Sequence, residues 1–151
     1  MKIRTDFVTN SSSSSFILGF NSQDDIQEVI FNELPSYLSK SAIERVIDDV
    51  YQGVVSKDEA RKFYIEYIRP YDLRFHGKRY WDLTPEEFNS EEYQQFIQDV
   101  TSDQMSEFDD EIREYDIVSI VEYEDHTDFG CAMEHQIMPD LSCTIRRISH
   151  H

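Results

Sequence analysis

Polar and apolar positions change their period several times along the chain, and each change marks an element. Residues 2–8 (Lys2, Ile3, Arg4, Thr5, Asp6, Phe7, Val8) alternate polar and apolar, which predicts a strand. Asn10 and the run Ser11 to Ser15 predict a turn or loop, and Phe16-Ile17-Leu18 a second, buried strand with Gly19 at a bulge or its end. A helical period then takes over. Ser22 caps a helix carrying Ile26, Val29, Ile30 and Leu34 and stopped by Pro35. Ser41 opens the next, with Ile43, Val46, Ile47 and Val50 inward and Gly53 at its end. Ser56 and Glu59 form a capping box for a third, with Ala60, Phe63, Tyr64 and Tyr67 on one stripe and its end before Pro70.

Thr84-Pro85-Glu86-Glu87 is a strong helix start, with a cap, proline at the first position and glutamate at the third. Tyr93, Phe96, Ile97 and Val100 make one stripe, and Met105, Phe108, Ile112 and Tyr115 another. The step from 100 to 105 breaks the spacing at Thr101-Ser102, which predicts two consecutive helices or one kinked helix. Ile117 to Tyr123, rich in β-branched residues, reads as a central strand. Residues 124–141 read as a polar loop with at most one helical turn. Ser142 to Ser149 alternates again, with Cys143, Ile145 and Arg147 on one face and Thr144, Arg146 and Ile148 on the other. Strands at both ends and helices between them predict an α+β fold: one sheet formed from N- and C-terminal strands, packed against a central helical segment. We expect a single domain over 1–151, with strands and the serine loop in 1–20, mostly helix in 22–114, and strands with a polar loop in 115–151. No internal repeat is visible.

Size and composition are compatible with that fold. A chain of 151 residues buries enough surface to need no staple. The composition, 39% hydrophobic and 13% aromatic, is that of a globular domain. The only early apolar run is too short for a secretory signal, and no stretch approaches the length of a membrane helix. Two cysteines, Cys131 and Cys143, are too few for a disulfide framework. Both are expected as small, buried, reduced thiols in a cytoplasmic protein.

Charge changes the picture more. Residues 1–83 hold 13 acids and 11 bases, residues 84–128 hold 16 acids and one base, and residues 129–151 hold two of each. The net charge of −17 thus lies almost wholly in one 45-residue block of the sequence. Such a block repels nucleic acid and anionic membranes and attracts basic protein surfaces or cations. It also serves as a plain solubilising face.

The opening Arg4-Thr5-Asp6-Phe7-Val8-Thr9-Asn10, followed by Ser11 to Ser15 and Phe16, resembles an N-terminal signature of short bacterial and phage proteins: an aromatic, Val, Thr or Ser, Asn, a serine run and Phe. The stretch from Met133 to His151 resembles the ending of some of them. The resemblance implies a bacterial or phage origin and carries no activity to transfer.

Four groups of residues are candidates for chemistry. His126, His135, His150 and His151 lie in the last 26 residues with both cysteines, and Asp125, Asp128 and Glu134 add oxygens. Zinc takes such donors, although the spacing matches no zinc finger and HExxH is absent. The hydroxyls of Ser11, Ser12, Ser13, Ser14 and Ser15 form the second group, as an anion-binding loop, a site of modification or a nucleophile beside a histidine; no glycine, P-loop lysine or G-x-S-x-G supports a known motif. The third is an acidic helical face of Glu86, Glu87, Glu91, Glu92, Asp109, Asp110 and Glu111. Spread along a helix, residues 84–114 carry one net charge per about 4.6 Å, sparser than either a DNA duplex or one of its strands. The fourth is the basic aromatic stretch 69–81, with a turn at Gly77, whose cations are better placed to pair with the acidic block than to hold nucleic acid.

Two functions follow from the sequence. The leading one is a non-enzymatic interaction protein whose acidic face meets a basic protein surface, as a phage-type inhibitor or nucleic-acid mimic would, with an oligomer compatible with it. The alternative is a small metal-dependent hydrolase, or a metal-stabilised domain, holding a divalent ion such as Zn²⁺ through His126, His135, His150 and His151, with Glu134 as general base.

Overall fold

The strand at the centre of the molecule's sheet, β1 (Ser13–Phe20), has all eight residues buried. In a computed structural model of the chain, residues 13–67 and 74–149 are described. The strand expected over 2–8, Ser11, Ser12, residues 68–73, His150 and His151 lie outside them. Four antiparallel strands form the sheet in the order β2-β3-β1-β4, with β2 (Val54–Val55), β3 (Ile117–Glu124) and β4 (Thr144–Ser149). The expected α+β fold is observed: the sheet is built from strands near both ends of the chain, with helices packed on it.

The described residues fall into two compact units, one running to Ala60 and resuming at Glu114, the other covering Arg61–Arg113. In the first, α1 (Gln23–Glu33) is capped by Ser22, whose hydroxyl accepts from the Asp25 N–H. α2 (Lys40–Gln52) ends at Gly53 as expected, but its cap is Ser39 rather than Ser41: the Ser39 hydroxyl accepts from the Ala42 N–H. Capping requires a residue with extended backbone whose side chain reaches two or three residues ahead, and Ser39 meets both conditions. α3 begins at Lys57 and runs to Tyr67, crossing into the second unit, with the Ser56–Glu59 capping contacts in place.

Phe16, Leu18 and Phe20 on one face of β1 meet Ile26 and Ile30 of α1, Val46 and Val50 of α2, and Val121 and Tyr123 of β3 in the core of this unit. The segment after β3 corrects the expectation of a polar loop. It is a helical run: α6 (Asp128–Ala132), one π-helical turn (Met133–Ile137) and a 3-10 turn (Met138–Asp140). Met133, Ile137 and Met138 are buried in the core. Their spacing was hidden because one π-helical turn followed by a 3-10 turn changes the period within a few residues.

In the second unit the Thr84–Glu87 capping box is present, but the helix it opens, α4 (Pro85–Phe88), is a single turn. Ser90 then accepts from the Tyr93 N–H and starts α5 (Glu91–Arg113), which runs unbroken through Thr101-Ser102. Of the two expected alternatives, the single helix is the one found, and Thr101, half-buried, fills the stripe between Ile97 and Met105. The turn at Gly77 is confirmed: His76 and Gly77 both have positive φ (51° and 77°), bracketed by mutual backbone hydrogen bonds between Phe75 and Lys78. Two positive φ values give the tight hairpin turn whose twist suits paired strands. Among the described residues no helix is long and apolar enough to cross a membrane.

Candidate functional site

Strand phase decides what the serine run does. From Ser13 onward it is not a loop, and Ser14 and Ser15 pair with β3 on one side and β4 on the other. Their backbone therefore belongs to the sheet ladder. Side chains alternate across a strand, so Ser14 shares the core face with Phe16 and Leu18, while Ser13 and Ser15 face the other way. Ser15 donates to Glu122 Oε2 across 3.4 Å. Ser14, fully buried, donates to Glu134 Oε1 across 2.9 Å.

Glu134 sits in the π-helical turn with its carboxylate wholly buried. Burying a carboxylate is costly unless it is paired and hydrogen-bonded. Its partners come from three directions. Besides Ser14, Arg147 Nη2 of β4 lies 4.0 Å from Oε1, and His135 Nε2 lies 3.5 Å from Oε2. Arg147 also donates from Nε to Ser14 Oγ at 3.2 Å. A bulge in β4 separates the side chains here: the Ile17–Arg146 pair is followed by Leu18–Thr144, so Ile145 is skipped. Ile145 reaches the Gly19 side of the sheet, away from Arg147, whereas strict alternation predicted both on one face.

Asp125, just after β3, completes a group with Glu134 and His135 in which one ligand atom from each lies within 4.8 Å of the others. The three grade from buried Glu134 through half-buried Asp125 to exposed His135, so the group opens toward solvent on one side. Donors around a four-coordinate zinc stand about 3.3–3.6 Å apart. The Glu134–His135 spacing of 3.5 Å fits this, and Asp125 lies within 4.8 Å of both.

Of the histidines expected to meet, only His135 is in this group among the described residues. His126 Nδ1 instead faces Glu124 Oε2 at 3.0 Å. It lines a polar groove of about 590 Å³ with Arg45, Asp49, Tyr123 and Phe129. There the Arg45 guanidinium lies 4.3 Å from the Phe129 ring centre, and the Tyr123 hydroxyl donates to Asp49. Burial, with the Asp49 charge second, pushes the Tyr123 phenol well above its ordinary range. His150 and His151 lie outside the described residues. Cys143 is buried in the core and Cys131 is exposed, which corrects the expectation that both are buried. Burial and then the Glu33 charge push the Cys143 thiol up to about 12.

The acidic face is divided. Glu86 and Glu87 lie on α4 and Glu91 and Glu92 in the first turn of α5, whereas Asp109, Asp110 and Glu111 lie near its other end, about 28 Å along the helix. Several have partners within this unit: Lys78 for Glu87, the His76 imidazole for Glu92, Arg61 for Asp109 and Arg113 for Asp110, all at 3.0 to 3.1 Å. The acidic block of the sequence is itself cut between Arg113 and Glu114, where one unit ends and the other resumes.

Sequence reasoning missed Arg147 as a partner of this site and read Asp125 only as an added oxygen. The signals were weak: an arginine in an alternating strand, and an acid at a strand end. No protein-family model matches the chain, and neither a curated protein nor a solved structure shows significant similarity to it.

Proposed function

We propose that this chain binds a divalent transition-metal ion through Asp125, Glu134 and His135, as a metal-stabilised domain or a small metal-dependent hydrolase. The observation that carries this reading is the wholly buried Glu134 carboxylate, with His135 Nε2 3.5 Å from one of its oxygens and Asp125 in reach of both. One imidazole and two carboxylates suit zinc better than magnesium or calcium, which favour oxygen donors alone. Three protein ligands leave a fourth position for water, as in catalytic zinc sites, where the bound water ionises near pH 7. Glu134 serves as ligand in this reading, in place of the general-base role.

Metal analysis of the purified protein and melting with and without chelator test it. We expect one zinc equivalent per chain. At a free zinc concentration about 100-fold above Kd, the gain is about 2.7 kcal/mol, or a rise in Tm of roughly 5–10 °C. Failure to bind Zn²⁺, with melting unchanged by zinc or chelator, overturns the proposal.

A second reading is a docking surface for a basic protein on the Arg61–Arg113 unit. It is supported by exposed Glu86 and Glu91 in the same stretch as the exposed aromatics Trp81 and Phe88. Aromatic anchors beside charge are typical of binding hot spots. Binding of a basic protein should then weaken with salt and on Glu86→Gln and Glu91→Gln. Affinity insensitive to both would remove this reading.

A further inference from the structure

We infer that Ser14 and Arg147 are positioning residues for the Glu134 carboxylate, holding one of its oxygens so that the other is directed to a metal ion beside His135. This rests on the metal-binding reading. The direction of the relay follows from chemistry: a guanidinium has no acceptor, so in the 3.2 Å contact Arg147 Nε must donate and Ser14 Oγ accept. The single Ser14 hydrogen then goes to Glu134 Oε1 at 2.9 Å. Arg147 Nη2, 4.0 Å from the same oxygen, adds its charge on that side. Both supports are therefore on Oε1, and Oε2 is the oxygen near His135 Nε2.

The supports are themselves fixed. Ser14 and Arg147 stand on adjacent hydrogen-bonded strands, where Ser14 pairs with Ser149 and Phe16 with Arg147, so the ladder sets their spacing. A fully buried serine hydroxyl in a strand interior is unfavourable unless it has such partners. Outer partners of this kind orient ligating carboxylates, and their loss typically costs 10–100-fold in metal affinity. The same arrangement ties the ion to β1, to β4 and to the segment between Asp125 and His135, so metal binding should brace the pairing of β1 with β4.

The neighbouring serine supplies a control, because Ser15 is equally buried but faces Glu122 across the sheet. Zn²⁺ affinity and the visible absorption of bound Co²⁺ would be measured for the full chain and for Ser14→Ala, Arg147→Gln and Ser15→Ala. We expect about 10–100-fold weaker binding and an altered Co²⁺ spectrum for the first two, and affinity within about threefold of the parent for the third. If Ser14→Ala does not fold, Arg147→Gln, whose side chain is partly exposed, carries the test. If the parent binds zinc and Arg147→Gln matches it in affinity and spectrum, the positioning role is overturned while the metal reading stands. If the parent binds neither ion, both fall.

Discussion

Ser14 donates its hydroxyl hydrogen to Glu134 across 2.9 Å although 120 residues separate the two in sequence. The contact joins the first described strand to a helical turn near the other end of the chain. Glu33 makes a comparable link at the far end of the same unit: its carboxylate accepts from both the N–H and the hydroxyl of Ser142, just before β4. Polar side chains thus fix where the C-terminal segment returns to the sheet.

Gly130 presses against the Glu124 carbonyl, so an added Cβ would overlap that oxygen. Because the obstacle is backbone, it cannot swing away. Gly130→Ala should destabilise the protein by about 1–3 kcal/mol and shift Asp125 relative to Glu134. Urea denaturation reads the first effect, and weakened zinc binding the second.

The cap of α2 separates two nearby serines. Ser39→Ala should cost about 1 kcal/mol through loss of the bond from the Ala42 N–H. Ser41→Ala, within the helix, should stay within about 0.5 kcal/mol. Equal effects in chemical denaturation would contradict the observed cap.

The two thiols should differ sharply in reactivity. Exposed Cys131 should react with iodoacetamide in the native protein, and buried Cys143 only on unfolding, with the modified residues identified by mass spectrometry. The Cys143 pKa is raised from 9.0 to about 12 by folding, so between those values the native state binds more protons than the unfolded state. Its contribution is present below pH 9.0 and declines as pH rises toward about 12. A Cys143→Ser variant should lose that part of the alkaline dependence.

Glu87 should titrate below the usual carboxylate range. The chief cause is the hydrogen bond it accepts from the Thr84 backbone N–H, followed by its bond from Lys78. A lowered folded value means that the stabilising contribution is present above the ordinary carboxylate pKa and is lost as pH falls through the lowered one. Lys78→Gln should move the Glu87 titration upward in an NMR pH series, and an unchanged midpoint would exclude the Lys78 contact as a cause.

Local signals were legible where one interaction sufficed. Ser22, Ser56 and Thr84 announced their helices because a cap involves only three or four consecutive residues. The β-branched run at 117–123 announced an interior strand because such side chains pack well on a pleated surface, and β3 pairs with both β1 and β2. Period reading failed where the pattern was short or mixed. Thr101 hid the continuity of α5 because a threonine does not count as apolar, and the π turn hid Met133 and Ile137 because five residues cannot establish a period.

The sequence by itself determined the fold class, most elements and the presence of ligand-type residues near the C-terminus, because these depend on side-chain chemistry and on spacing within one element. Only tertiary structure decided which of those residues meet. Ser14 differs from Ser13 and Ser15 in the phase of β1 and in what that face packs against. Likewise His135 joins Glu134 and Asp125, while His126, one residue from Asp125, turns to Glu124. Strand pairing, the bulge at Ile145 and the burial of Glu134 each arise between segments distant in sequence, and spacing along one chain carries no record of them.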